Sequence, residues 1–183
     1  MPFSKIKSHA KLNLALNIIN KRNSLHNIES IIAFVDLHDV IFIKKIKSKK
    51  HVISFYGRFS KKISKNNTIS KLIGILENKK ILKNQKFKIK IKKVIPNKAG
   101  LGGGSSDASF TLMALDKLFD LRLPKKKLLE YALQCGADCP FFIENKPALA
   151  QGVGEHLTSV SFDLSGYHLV VVYPSIFVST KEA

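Results

Sequence analysis

Pro96-Asn97-Lys98-Ala99-Gly100-Leu101-Gly102-Gly103-Gly104-Ser105-Ser106-Asp107-Ala108 decides what kind of chain this is. Four of the five positions from Gly100 to Gly104 are glycine, and a Ser-Ser pair follows where an apolar-periodic segment begins. Glycines let consecutive backbone N–H groups turn inward without Cβ clashes, and the unpaired N–H groups of a helix N-terminus add partial positive charge, so the order suits a polyphosphate. Ser105 and Ser106 can cap the helix or donate their hydroxyls to phosphate oxygens; Asp107 can approach a magnesium ion or simply favour the helix dipole. The loop has neither the G-x-x-x-x-G-K-[ST] nor the G-x-G-x-x-G spacing, and an inert glycine-rich turn is the alternative.

Downstream, the spacing predicts a helix from about Ser105 or Ser106 to Phe119, with Ala108, Leu112, Leu115 and Phe119 on one stripe. A third helix is expected to begin at Pro124 and to stop before Gly136 as a left-handed C-cap. Upstream, Phe87, Ile89 and Ile91 alternate with Lys88, Lys90 and Lys92, the period of a strand with one wet face. Val40 to Ile46, Val52 to Tyr56 and Val170 to Tyr173 also read as strands. Ile69, Leu72, Ile73 and Leu76 fall on one helical stripe that Asn66 or Asn67 can cap, with Gly74 weakening it. No repeat or low-complexity tract interrupts the chain, so one α+β domain is expected.

The 183 residues carry a formal net charge of +18. Between Lys44 and Lys98 stand eighteen lysines and Arg58 against the single acid Glu77, so the rest of the chain is neutral. Such a stretch raises nucleic-acid binding as a rival function. With 28 lysines to 3 arginines, however, the chain lacks the planar forks that read base edges, and a Lys-, Asn- and Ile-rich composition is also what drift in an AT-rich genome produces. No apolar run reaches the roughly 18 residues of a membrane span, and Met1 to Ala10 has no signal-peptide core, so a cytoplasmic protein without membrane partners is expected. Cys135 and Cys139 have no second pair or spaced histidines, which favours reduced thiols over zinc.

The loop PNKAGLGGGSSDA resembles the P-x-x-x-GLGGGSS-[DN]-A motif of the GHMP kinases. SHAKLNLALNI near the start, GADCPFF after the third helix and ALAQGVGE later are similar to further motifs of that family, in the same order. The resemblance implies a two-layer α+β sandwich of the ribosomal protein S5 domain 2-like type, with ATP and Mg²⁺ as cofactors and no dedicated protein metal site. Gly100, Leu101, Gly102, Gly103, Gly104, Ser105 and Ser106 would hold the ATP phosphates. Asp138 would take the proton from an alcohol, while Lys11 lowers that hydroxyl's pKa and steadies the carboxylate. By residue type alone Asp138 is equally a turn residue and Lys11 a solvated strand-edge charge.

AKLNL followed by Leu25-His26 points, within the family, to the branch whose small-molecule substrate is diphosphocytidyl-methylerythritol, phosphorylated on its 2-hydroxyl on the way to isoprenoid precursors. Asn13 would share the strand face of Lys11 beside the reacting hydroxyl, or be a satisfied core amide. His26 would contact the cytosine, or be a surface histidine. Leu25 stands where the family places an aromatic, which removes a stacking surface worth about 1 kcal/mol. Family members also carry a second domain. Residues 1–183 are therefore expected to be the ATP-binding domain, with the start of a linker at about 174–183, and to work with a separately encoded second domain or a second copy. A catalytically dead fragment, or a basic nucleic-acid-binding module on the same scaffold, is the alternative.

Overall fold

A computed structural model of the chain describes residues 2–22, 25–61 and 63–174. The side chain of Leu25, the expected linker beyond Pro174 and the segment Ser179 to Ala183 lie outside the described residues.

Two long strands, β1 (Ser4–Arg22) and β2 (Leu25–Ile46), form the spine as an antiparallel pair. Along its other edge β2 carries two partners. β4 (Lys86–Lys92) pairs antiparallel with Val40 to Ile46, and β5 (Ala148–Gly152) with Ile28 to Ile32. β3 (Val52–Tyr56) adds parallel to β4, and β6 (His156–Ser159) antiparallel to β5. Residues 33–39 of β2 thus lie between its two partners. There the Asp39 carboxylate accepts from the N–H groups of Val94 (2.5 Å) and Ile95 (2.9 Å) as the chain leaves β4.

Four helices complete the α+β sandwich: α1 (Thr68–Asn78), α2 (Gly103–Phe119), α3 (Lys125–Cys135) and α4 (Cys139–Glu144). Phe87, Ile89 and Ile91 are fully buried against the α1 stripe and Leu112 and Leu115 of α2, with the alternating lysines on the opposite face. Asn67 caps α1 by accepting from the N–H groups of Ile69 and Ser70, and the Ser70 hydroxyl accepts from the Asn67 N–H in return. A cap of this kind contributes about 1 kcal/mol. A second cluster, Ile32, Phe141, Phe142, Ala148 and Ala150, fastens α4 to β2 and β5, and Phe34 stacks on Phe141 at 4.6 Å. Among the described residues no helix is long and apolar enough to cross a membrane.

Three expectations need correction. α2 begins two residues earlier than Ser105, at Gly103, because Gly102 adopts φ 67° and turns the chain directly into the helix. Pro124 precedes α3 with an extended ψ of 148°, and Gly136 is extended (φ 174°) instead of left-handed, because the chain runs straight on toward α4. Val170 to Tyr173 forms no strand. No neighbouring strand pairs with it among the described residues, and Val170 and Val172 are each 83% exposed.

Candidate active site

The start of α2 has no side-chain cap. The Ser106 N–H closes the first helical turn on the Gly102 carbonyl at 2.8 Å, which leaves the N–H groups of Gly103, Gly104 and Ser105 without a partner among the described residues. Three adjacent donors at the positive end of a 17-residue helix make a strong anion seat. The turn is also tightly packed. A Cβ on Gly102 would lie 2.8 Å from Phe142 Cζ and 2.9 Å from Lys11 Cγ, and one on Gly103 would lie 3.0 Å from Ile95 Cγ2. Any side chain here would push the turn off its neighbours.

Lys11 meets that turn from β1. Its backbone N–H donates to the Leu101 carbonyl at 3.0 Å, and its side chain is 10% exposed beneath Gly102. From there the ammonium donates to Asn13 Oδ1 at 2.7 Å and lies 3.7 Å from Asp138 Oδ2. Asn13 is fixed in turn: its amide donates to the Ser30 hydroxyl, which donates to the Ala15 carbonyl. Asp138 sits at the N-cap position of α4, but its carboxylate caps nothing and is 46% exposed. A half-exposed carboxylate held beside a buried ammonium, and free of helix-capping duty, is suited to receive a proton from something that docks there.

Ser106 faces the other way. Its buried hydroxyl donates to the His9 carbonyl at 2.6 Å and lies 2.8 Å from the Ser8 hydroxyl. Asp107 is also buried. It joins Asp39 and Lys93 in an ion cluster in which the Lys93 ammonium contacts a carboxylate oxygen of each. Burial pushes the Asp107 carboxyl up to about 7, against the opposing pull of Lys93. Burial alone would lower Lys93, but the two carboxylates outweigh it and hold its pKa above the usual lysine value. Asp107 therefore does not reach toward a magnesium ion; it anchors the first turn of α2 to the sheet.

The cluster was legible in principle. Lys93 continues the inward parity of Phe87, Ile89 and Ile91, and Asp39 that of Ile41 and Ile43. Its neighbour pair Val40–Lys92 is in register, and Ser8 lies opposite Asp39 on β1. Ser8, Asp39 and Lys93 thus form a polar row beneath the glycine turn. His26 is elsewhere. It pairs with Lys21 near the end of the β1–β2 hairpin, eight residues along β2 from Phe34, the partner of Lys11. Eight residues of strand span about 26 Å, so the exposed His26 is not brought to the Lys11–Asp138 pair.

Residues 67–146, which include the glycine turn and Asp138, match the family model of the GHMP kinases N terminal domain. The chain contains that GHMP kinase domain. It is 46% identical over 177 residues to the 4-diphosphocytidyl-2-C-methyl-D-erythritol kinase of Pelagibacter ubique, covering 97% of this chain and 62% of that protein. To the enzyme of the same name from Clostridioides difficile it is 38% identical over 183 residues, covering 100% of this chain and 61% of the relative. A crystal structure of 4-(cytidine 5'-diphospho)-2C-methyl-D-erythritol kinase superposes with a TM-score of 0.73 at 30% identity, over 87% of this chain and 56% of that one. The chain spans about three fifths of the curated relatives it matches.

Just beyond the matched residues, the ALAQGVGE segment forms β5 and the turn to β6. Glu155 accepts from the Val153 N–H at 2.7 Å, and a Cβ on Gly152 (φ 72°) would fall 2.8 Å from Glu155 Oε1, so the motif is explained by the turn itself. The two cysteines are free and buried, and burial pushes the Cys135 thiol up to about 12, which leaves it unreactive.

Proposed function

We propose that the chain is the ATP-binding part of a kinase that transfers the γ-phosphoryl group of ATP to the 2-hydroxyl of 4-diphosphocytidyl-2-C-methyl-D-erythritol, in isoprenoid precursor biosynthesis in the cytoplasm. The observation that carries it is the convergence of three free N–H groups of the α2 N-terminus, the Lys11 ammonium and the Asp138 carboxylate, in a chain with relatives of that name. Phosphoryl transfer asks a protein mainly for positioning and charge neutralisation. The uncapped turn offers the free N–H groups of Gly103, Gly104 and Ser105 to phosphate oxygens, while the missing Cβ of Gly102 lets the turn rest directly on Lys11 and Phe142. Asp138 receives the hydroxyl proton. Lys11 holds that carboxylate in place and stabilises the alkoxide as it forms. Asn13 keeps the ammonium aimed by accepting one of its hydrogen bonds.

Bound Mg²⁺ would neutralise the phosphate charge; with Asp107 sequestered by Lys93, no side chain of the turn is assigned to it. His26 is proposed to contact the cytosine end of the substrate, consistent with its distance from the reacting hydroxyl. Leu14, Leu16, Ile18 and Ile19 of β1 are each more than 40% exposed, and on this proposal a second domain or a second copy covers them.

Mixing the chain with ATP, Mg²⁺ and the diphosphocytidyl alcohol should release ADP, and Asp138→Asn should stop it. If ATP leaves the melting temperature unchanged while single-stranded nucleic acid binds with a steep salt dependence, the basic-module alternative stands instead.

A further inference from the structure

The register of β1 and β2 breaks where His9 pairs with His38 but the next residue, Ala10, pairs with Val35. Asp36 and Leu37 are the surplus residues of this bulge, and the detour carries the Asp36 carboxylate to the side of two imidazoles that the sheet has placed opposite each other. His9 Nδ1 lies 4.0 Å and His38 Nδ1 3.7 Å from Asp36 Oδ1, and one donor atom from each of the three residues lies within 4.8 Å of the others. The rings are 5.2 Å apart between centroids. We propose that His9, Asp36 and His38 form a binding site for one borderline divalent cation of the Zn²⁺ type, separate from any magnesium that accompanies ATP.

The donor chemistry sets the class of ion. Two imidazoles and one carboxylate suit Zn²⁺ and its neighbours, whereas Mg²⁺ takes oxygen donors and gives up its waters reluctantly. Donors about 2.0–2.2 Å from a tetrahedral ion stand about 3.3–3.5 Å from one another, so the carboxylate contacts must shorten by roughly half an ångström and the widest separation, within 4.8 Å, by up to about 1.5 Å. The freedom to do so lies in the right place. The histidine side chains are 30% and 24% exposed, and His9 lies between the Val35 carbonyl at 3.3 Å and the Phe110 ring, while the Asp36 side chain is 90% exposed and can swing in. In the ion-free chain the His38 Nδ1–H donates to the Asp36 carbonyl at 2.6 Å, as the His9 Nδ1–H does to the Val35 carbonyl. Binding shifts both protons to Nε2 and breaks these two bonds, which frees Nδ1 of each neutral imidazole for the ion. Three protein donors leave a fourth position for water.

The site would act on its surroundings through β1. The His9 carbonyl receives the Ser106 hydroxyl of α2, and Lys11 follows two residues later. An ion joining His9 to β2 therefore clamps the strand that carries Lys11 at the point where α2 rests on it.

Calorimetric titration of the chain with zinc chloride in a non-chelating buffer tests this. One ion per chain should bind, with a rise in melting temperature, and about 1 mM Mg²⁺ should not compete. Asp36→Asn and His38→Ala should each weaken binding at least tenfold, and Asp36→Asn, at a solvated side chain, should melt in EDTA at the wild-type temperature. Co²⁺ in place of zinc should give visible d–d absorption without a thiolate charge-transfer band. Absence of binding, undiminished affinity in Asp36→Asn, or a thiolate band that assigns the ion to Cys135 and Cys139 would each overturn the proposal.

Discussion

Two lysine–aspartate sites flank the glycine turn, one beneath Gly102 and one beneath Gly103. At the first, Lys11 lies 3.7 Å from an Asp138 carboxylate that is 46% exposed and makes no cap. At the second, Lys93 is closed in contact with Asp39 and Asp107, all three side chains 3% exposed or less. Residue types are the same and the settings are opposite. Breaking a dehydrated pair leaves an uncompensated buried charge, so it resists change and holds geometry. A pair with one wet partner, too far apart for a hydrogen bond, has donors and acceptors to spare for a ligand. The turn between them is thereby anchored from below and open above.

The comparison can be broken in graded steps. Asp138→Asn should lower turnover about 10²–10⁴-fold in the ADP-release assay while leaving the melting temperature in place; a large loss of stability would make Asp138 a structural residue after all. Lys93→Met should do the reverse, removing about 3–5 kcal/mol of stability in urea unfolding by stranding two buried carboxylates. Gly102→Ala should cost about 1–3 kcal/mol, since the backbone sits at φ 67° and the new Cβ meets Phe142 and Lys11, and should abolish the thermal shift on adding ATP.

The buried cluster also has a pH signature. The Asp107 carboxyl sits at about 7 in the fold against an ordinary 3.8, so between those values the folded chain binds more protons than the unfolded one. Its contribution is fully present below about pH 4 and is lost as pH rises through 7. Melts of the wild type and Asp107→Asn across that window should converge or cross as pH increases. The smallest effect is expected for Ser106→Ala, about 1 kcal/mol of stability from the lost bonds to Ser8 and the His9 carbonyl, with ATP affinity unchanged.

What the sequence showed depended on how local the cause was. The alternation Phe87, Ile89, Ile91 and the 69–76 stripe needed only neighbours, and both fell where their periods put them. The glycine turn was legible because its cause, the absence of Cβ atoms, is written in the residues themselves. Gly136 and Val170 to Tyr173 misled for the opposite reason: glycine permits φ values that the chain there does not use, and a valine run is a strand only if an edge receives it. Lys93 was hidden in a lysine-rich segment read as solvated, although its parity with Ile91 pointed inward. The approach of Asp138 to Lys11 joins residues 127 positions apart and followed from resemblance, not from any local pattern.

The most direct measurement is an ATP·Mg²⁺ titration of the ¹⁵N-labelled chain followed by amide resonances. The N–H signals of Gly103, Gly104 and Ser105 should move furthest and saturate together, as three free donors acquire phosphate oxygens, while Ser106, already bonded to Gly102, follows only weakly. Silence at those three amides, with the response confined to the lysine face of β4, would contradict the account.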